Sequence, residues 1–258
     1  MSNFYCLSLI IPIYNTEKYI VDCLNSVINQ FDYKIEIIII DDCSTDGSLK
    51  VLKKFLLKRK TIHKLKLLKH TKNRGPGIAR NTGIKNSTGD YLAFLDGDDI
   101  LMNGFSRKIK KLIKKKDLDI IEYGFVRFNS NKSIKKFKHL YSFSKEQRYE
   151  NIKIELFCKT VWYPSIRVSK KKLWNNIKFP NNYRYEDDMT IYKIYQKTNK
   201  IFFIDTPLLA YRYNPKSLTS QISKKNYDDM FAAFKSIKLS NNKIELKILK
   251  LRIARSIC

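Results

Sequence analysis

The chain has 258 residues, 43% of them hydrophobic, enough to bury the core of one large domain or of a domain with a smaller appendage. Its five cysteines, Cys6, Cys23, Cys43, Cys158 and Cys258, are odd in number and widely spaced with no C-x-x-C pair, which argues against a disulfide framework or a zinc knuckle and fits a reducing cytosol. Lysine and arginine number 51 against 24 aspartates and glutamates, a formal charge of +27, so any group of carboxylates stands out against the composition.

Leu7 to Ile13 reads as a buried strand. It is too short to cross a bilayer, has no basic residues ahead of it and contains Pro12, so it is neither signal peptide nor anchor. Nothing later approaches a spanning length, and the expectation is a soluble, cytoplasmic protein. A helix follows, with Tyr19, Ile20, Cys23, Leu24, Val27 and Ile28 on its apolar face. Ile35 to Ile40 is a second strand, interrupted only by Glu36. Ser44-Thr-Asp-Gly-Ser48 is a turn rich in capping oxygens, and Val51, Leu52, Phe55 and Leu56 mark the helix behind it. Leu65 to Leu68 reads as a third strand, Ile78 to Ile84 as a short helix and Tyr91 to Leu95 as a fourth strand. In Arg107 to Lys116 the residues Ile109, Leu112 and Ile113 continue a stripe from Phe105, and lysines fill the other side. That is a core-facing helix with a solvated cationic back, whose functional reading is attraction to an anionic membrane surface. Lys243 to Cys258 is helical in composition. Ile244, Ile248 and Leu251 lie on one side and Leu246, Leu249 and Ile253 on another, which suits a helix awaiting partners, as at the end of a shortened chain, better than a membrane-surface stripe.

Apolar strands alternating with amphipathic helices imply an α/β fold with a parallel sheet covered on both faces. In such sheets ligands sit beyond the carboxyl ends of the strands. Tyr14 and Asn15, Asp41 and Asp42, and Asp96 and Asp98 all lie there, so three strand ends converge on one crevice.

The acidic cluster is Asp96, Asp98 and Asp99, delivered by the strand in Tyr91-Leu-Ala-Phe-Leu-Asp-Gly-Asp-Asp-Ile100. Carboxylates two apart in a loop suit a hard divalent cation that is shared with substrate phosphates. A solvated turn or a helix cap is the bland alternative. The preceding Asn73-Arg-Gly-Pro-Gly-Ile-Ala-Arg-Asn-Thr-Gly83 lacks the G-K-[ST] ending of a phosphate loop and is not G-x-G-x-x-G. Gly75 and Gly77 permit a tight turn into a helix bearing Arg80, whose planar fork suits phosphate, against the alternative of an arginine with no ligand.

Four motifs occur in order: Ser8-Leu-Ile-Ile-Pro-Ile-Tyr-Asn-Thr-Glu-Lys-Tyr-Ile20, Ile39-Ile-Asp-Asp-Cys-Ser-Thr-Asp-Gly-Ser48, Asn73 to Gly83, and Phe94-Leu-Asp-Gly-Asp-Asp99. Together they resemble family 2 glycosyltransferases of the GT-A fold, non-processive and bacterial in type, from about residue 6 to 105. Tyr185-Glu-Asp-Asp188 resembles that family's Glu-Asp motif opening a helix. The resemblance implies a Rossmann-like, mostly parallel sheet flanked by helices. Residues 1–105 would form the nucleotide-sugar half, 106–220 the acceptor and base half, and 221–258 a C-terminal helical segment.

By the same resemblance Asp42 faces the uracil base, with Pro12, Tyr14, Asn15 and Glu17 near the nucleotide, and Arg80 approaches the diphosphate. Asp96, with Gly97 beside it, is the first acid of a D-x-D motif facing the ribose. Asp98 is the second, and Asp98 with Asp96 would hold Mn²⁺ or Mg²⁺. Asp187 resembles the general base; Asp188 is also available, and a carboxylate favoured by a helix N-terminus is the bland reading of Asp187. Arg212 and Ser217 resemble a Tyr-Arg…Ser element that closes over the diphosphate. Glu186, Trp162 and Arg212 are the acceptor-side candidates. Trp162, Tyr163 and Trp174 could stack on a sugar ring or be buried in the core.

The chain has no Q-x-x-R-W, so addition of one sugar is expected instead of polymer synthesis. Its histidines, His63, His70 and His139, all precede Asp187, so none matches the metal-binding histidine that some relatives place after the base. The expected partners are a UDP-sugar and a glycan or lipid-linked acceptor of a surface glycan, with peripheral contact at an anionic membrane's inner face. The alternatives are a nucleotidyltransferase on a similar sheet, or a non-catalytic polyanion-binding protein. Nucleic acid is not expected, because the basic runs lack interleaved aromatics for stacking bases.

Overall fold

The computed structural model describes residues 6–33, 35–58, 63–115, 117–129, 134–136, 144–159, 161–213, 224–236 and 244–257. The apolar runs of the N-terminal half form β1 (Leu7–Ile13), α1 (Ile20–Ile28), β2 (Glu36–Asp41), α2 (Ser48–Lys58), β3 (Lys64–Lys69), α3 (Pro76–Asn86) and β4 (Tyr91–Phe94). These four strands lie side by side in the order β3-β2-β1-β4, all parallel. The chain builds outward from β1 to β3 and then returns to add β4 on the other side of β1. A sheet whose order reverses at one strand leaves a crevice at that point, beyond the carboxyl ends.

The second half adds β5 (Ile100–Leu101), α4 (Phe105–Lys115), β6 (Ile120–Phe128), β7 (Ile134–Lys136), β8 (Lys145–Arg148) and α5 (Tyr149–Lys159). Then come β9 (Arg167–Lys170), α6 (Ile191–Tyr195), β10 (Lys200–Arg212), α7 (Lys224–Ser236) and α8 (Ile244–Ile257). Among the described residues ten strands make one sheet, ordered β3-β2-β1-β4-β9-β6-β10-β5, with β7 on β6 and β8 on β10. Strand β9 runs antiparallel to both β4 and β6 and joins the two halves, while β10 is parallel to β6.

The sheet is buried on both faces, which is why its strands read as unbroken apolar runs and not as alternating ones. Alternation reappears in the packing. Leu9, Ile11, Ile37 and Ile39 pack with Leu24, Val27, Leu52 and Phe105 of α1, α2 and α4. Ile10, Ile38, Ile40 and Leu92 face the other way, with Ala79, Leu156, Tyr192 and Leu249 from α3, α5, α6 and α8. Glu36, the one break in β2, is wholly buried and ties several segments together. Ser8 Oγ donates to it at 2.6 Å and the Thr88 N–H at 2.7 Å, and Lys66 Nζ lies 2.8 Å away.

The C-terminal helix finds its partners within the chain, since α8 packs on α5 and α7. Leu246, Leu249 and Ile253 are buried there, while Ile244 and Leu251 of the other side remain exposed. Among the described residues no helix is long and apolar enough to cross a membrane.

Candidate active site

The loops after β1 and β2 are laced together by side chains that accept backbone hydrogens. Asn15, in the left-handed region at φ 52°, accepts the Thr45 N–H at 2.8 Å. Glu17 accepts the Gly47 N–H at 2.9 Å, and the Thr16 N–H donates to Ser48 Oγ at 2.7 Å. Tyr14 stands exposed beside them. Pro12 is buried within β1, so what it offers the crevice is backbone.

Asp42, at the end of β2, is buried and heavily engaged. Its Oδ1 lies 2.6 Å from His70 Nδ1, and both oxygens accept the Arg74 N–H at 3.0 Å. Oδ2 also accepts the Gly75 N–H at 2.7 Å. Each oxygen therefore already has two partners, and a base N–H at this carboxylate would have to share them. The carboxylate fastens the glycine-rich loop to the strand end. His70, which the sequence reading set aside as a metal ligand, is part of that fastening, its Nε2 2.9 Å from Thr82 Oγ1.

Helix α3 starts at Gly75, whose φ of 83° suits glycine, with Pro76 in the first turn. It brings Arg80 to the centre of the site. The sequence expectation was an arginine reaching for diphosphate. The structure instead holds Arg80 at 6% exposure between two carboxylates, with Nη2 donating to Asp96 at 2.8 Å and Nη1 to Glu186 at 2.6 Å. Burial works against its charge, and Asp96 and Glu186 outweigh that effect. Glu186, expected on the acceptor side, is committed to this pair. Its carboxyl is nevertheless pushed up to about 7, because burial exceeds the pull of Arg80.

The acidic loop leaves β4 and passes over the end of β1. Gly97 is required by close approach, since a Cβ there would stand 2.7 Å from Ile13 Cγ2 and 3.3 Å from the Pro12 carbonyl oxygen. Burial, then Asp96, pushes the Asp98 carboxyl up to about 6. Asp99 is buried and its carboxyl is held well above its usual range, by burial and then by Asp98; its Oδ1 accepts the Arg212 N–H at 2.8 Å, while Oδ2 has no hydrogen-bond partner among the described residues.

Arg212 is packed against this loop. Its Nε donates to the Asp98 carbonyl at 2.8 Å, and its guanidinium is held between the Tyr19 and Phe128 rings, 4.7 and 4.4 Å from their centroids. Ser217 lies outside the described residues.

One half-buried and one buried carboxyl with raised pKa values, Asp98 and Asp99, and an unpartnered buried oxygen are the donor set of a site that gains from a cation. The carboxylates of this loop offer oxygen donors, which suit Mg²⁺ or Mn²⁺. Among the described residues no cluster of three or more His, Cys, Asp or Glu forms a ready-made cage. Asp96 and Asp98 would be two ligands, leaving the rest to phosphate and water.

Asp187 sits in the turn ahead of α6, half-buried, its carboxyl raised by burial while Arg80 opposes the shift. Its side chain accepts the adjacent Asp188 N–H at 3.0 Å, and it is the Asp187 carbonyl that accepts the Thr190 and Ile191 N–H groups. Capping of α6 is thus done by backbone. A wall of which sequence reasoning named only Tyr163 lies close by: Tyr163 and Tyr211 stack at 5.7 Å and 12°, with Arg127 Nη2 donating to Tyr163 Oη at 3.4 Å. Both phenols are raised by burial first. Tyr163 also feels Asp187 and Asp188, and Tyr211 feels Asp99, Asp96 and Asp98, so the pair stands between base turn and acidic loop.

Trp162 does not take the stacking role offered to it. It is 3% exposed, with Phe157 and Tyr195 packed edge-on at 5.0 and 5.6 Å, and Trp174 is likewise buried, against Phe94 and Phe179. His63 is buried beside Phe31, and His139 lies outside the described residues.

Comparison with known proteins agrees with this geometry. Residues 8–173 match the sequence profile described as Glycosyl transferase family 2. The chain is similar to Glycosyltransferase GlyG of Streptococcus pneumoniae, 29% identical over 224 residues that make up 82% of this chain and 72% of that protein. It spans only 31% and 62% of two other curated relatives. S. aureus TarS 1-349, solved in complex with UDP-GlcNAc, has the same fold at a TM-score of 0.74 and 24% identity, over 97% of this chain and 71% of that one. The mannosyltransferase PcManGT of Pyrobaculum calidifontis, solved with GDP-Man and Mn²⁺, shares the fold at a TM-score of 0.63 and 16% identity, over 99% and 70%. With a matched profile over most of its length and a GT-A sheet flanked by helices, the chain belongs to glycosyl transferase family 2.

Proposed function

We propose that the chain transfers one sugar from a UDP-sugar to a hydroxyl of a glycan or lipid-linked acceptor, inverting the anomeric centre. The observation that carries this reading is the position of Arg80, bonded to Asp96 of the acidic loop on one side and to Glu186, neighbour of Asp187, on the other. One buried guanidinium thereby sets the candidate cation loop and the candidate base at a fixed separation. Arg80 is in this reading a strut between them.

Asp98 and Asp96 would hold Mn²⁺ or Mg²⁺, which supplies charge neutralisation for the departing diphosphate. Asp187 accepts the proton of the acceptor hydroxyl. Burial makes it a stronger base than an ordinary aspartate, which favours that transfer. Glu186 is occupied by Arg80, and Asp188 lines the cavity formed with α7 and α8, which supports Asp187 among the acids of the turn. A single base acting opposite the leaving group needs no covalent intermediate, and this is the basis for inversion. The UDP-GlcNAc bound by TarS and the Mn²⁺ bound with GDP-Man by PcManGT support a nucleotide-sugar donor and a divalent cation.

The test is calorimetric titration of UDP, with GDP and CMP as comparators, with and without Mn²⁺. UDP should bind best, and more tightly with metal; Asp98→Ala should lose the metal-linked gain. Asp187→Asn should keep UDP binding while transfer falls by roughly 10²- to 10⁴-fold, the usual contribution of a general base. Absence of metal-linked binding by any nucleotide would overturn the cation site. Near wild-type turnover in Asp187→Asn would overturn the base.

A further inference from the structure

The Asp187 carboxylate accepts the Asp188 N–H and makes no other hydrogen bond among the described residues. Its place in the crevice is therefore set by the backbone of its own turn, which the Met189 N–H closes onto the Tyr185 carbonyl at 3.3 Å. Whatever grips that backbone decides where the base stands. On one side the grip is α3, through Arg80 on Glu186 and Asn81 on the Phe179 backbone.

On the other side it is α7. The Arg184 N–H donates to Asp229 Oδ2 at 3.1 Å, and the Arg184 guanidinium donates to Asn226 Oδ1. Asn226 Nδ2 reaches Tyr185 Oη at 3.5 Å. Lys225 Nζ donates to the Asn182 carbonyl at 3.3 Å and lies 3.5 Å from Asp229 Oδ2. These three residues share one side of the helix, a turn apart, and all spend polar atoms on the segment from Asn182 to Tyr185. Asn226 and Asp229 are buried, where an amide and a carboxylate are costly unless bonded. Apolar packing already seats the last two helices, through Ala233 of α7 and Leu246, Leu249 and Ile253 of α8. The polar bonds therefore do something other than attach the helix.

We propose that Asp229 and Asn226 are positioning residues for Asp187, an inference that rests on the reading of Asp187 as the base. They hold Arg184 and Tyr185, the entry to the turn, while α3 holds Glu186. Fixing a base through its backbone has a chemical advantage. Hydrogen bonds to a carboxylate favour its charged form and weaken it as a base. Held by α3 and α7, Asp187 keeps its oxygens for the acceptor hydroxyl.

The experiment compares the full chain with Asp229→Ala, Asn226→Ala and Asp229→Asn, the last of which keeps an oxygen acceptor for the Arg184 N–H. Amide hydrogen exchange is followed over residues 182–191 and over β1 and β2. Turnover is read as UDP released with Mn²⁺ from UDP-glucose, UDP-galactose and UDP-N-acetylglucosamine, with UDP affinity titrated in parallel. Both alanine variants should exchange faster at the turn and not in the sheet. Their kcat should fall up to about 100-fold, the effect of misplacing a reacting group by about 1 Å, with donor KM and UDP affinity unchanged. Asp229→Asn should recover most of the turnover. If one alanine variant does not fold, the other carries the test. Unchanged exchange at the turn, a retained kcat, or a loss shared by UDP affinity and by the sheet amides would overturn the positioning role. Release of no UDP from any donor by the wild type would instead count against the transfer reading, so the two failures are separable.

Discussion

Glu36 shows how one residue can govern the joints of a sheet. In β2 it replaces an apolar residue, yet it is wholly buried and bonded to β1, to β3 and to the Thr88 N–H. Burial alone would raise its carboxyl, but the bonds from Lys66, Ser8 and Thr88 outweigh burial and hold it at about 2 against an ordinary 4.5. A depressed folded value means that the stabilisation is complete above about pH 4.5 and is lost as pH falls toward 2. Urea unfolding between neutral pH and about pH 3 should show wild type losing up to about 2–3 kcal/mol that Glu36→Gln does not lose. Parallel stability curves for the two proteins would contradict this. At the same scale, Gly97 was readable from the motif, but its reason was not, because that reason is the side chain of Ile13.

At the scale of elements, α3 decides whether base turn and acidic loop stay together. Asn81 on α3 exchanges two hydrogen bonds with the Phe179 backbone, at 2.8 and 2.9 Å. Gly77 lets the helix approach closely, since a Cβ there would meet Glu186 Cγ at 2.9 Å, Phe179 Cβ at 3.0 Å and the Pro180 carbonyl at 3.2 Å. Gly77→Ala should cost about 1–3 kcal/mol by overpacking and lower turnover more than UDP affinity, because the displaced segment carries Asp187. Denaturant melts and steady-state kinetics on one preparation check both parts. An unchanged kcat would show that the turn is not held through α3. The elements of the first hundred residues were legible because buried parallel strands and amphipathic helices leave simple periodicities. Those of residues 117–184 were not, because β6, β9 and the segment between them form through contacts with β4 and β10 that no local pattern announces.

For the whole molecule, the charge of +27 is distributed with some order. Helices α1, α2 and α4 cover one side of the sheet, and Lys50, Lys53, Lys54, Arg107, Lys111 and Lys114 are exposed on α2 and α4. A cationic face on one layer suits an anionic bilayer, where each basic residue near the surface is worth about 1 kcal/mol and salt screens the attraction. Sedimentation with phosphatidylserine-containing vesicles should show binding that weakens steeply as salt is raised, with little binding to neutral phosphatidylcholine. Equal binding to both vesicles would mean that the charge is a bias of composition.

The motifs Ser8–Ile20, Ile39–Ser48, Asn73–Gly83 and Phe94–Asp99 were enough to place the sheet, its crevice and the acids in it, because strand ends are set by local sequence and a parallel sheet collects its carboxyl ends on one edge. Partnership was beyond their reach. That Arg80 joins Asp96 to Glu186, that His70 holds Asp42, that Trp162 is buried, and that α7 braces the turn of Asp187 all depend on residues from 16 to 106 positions apart, or on packing between distant segments. Which groups meet, and which buried polar atoms are left unmet, is settled only when separate elements pack, since burial and hydrogen bonding are properties of the assembled interior.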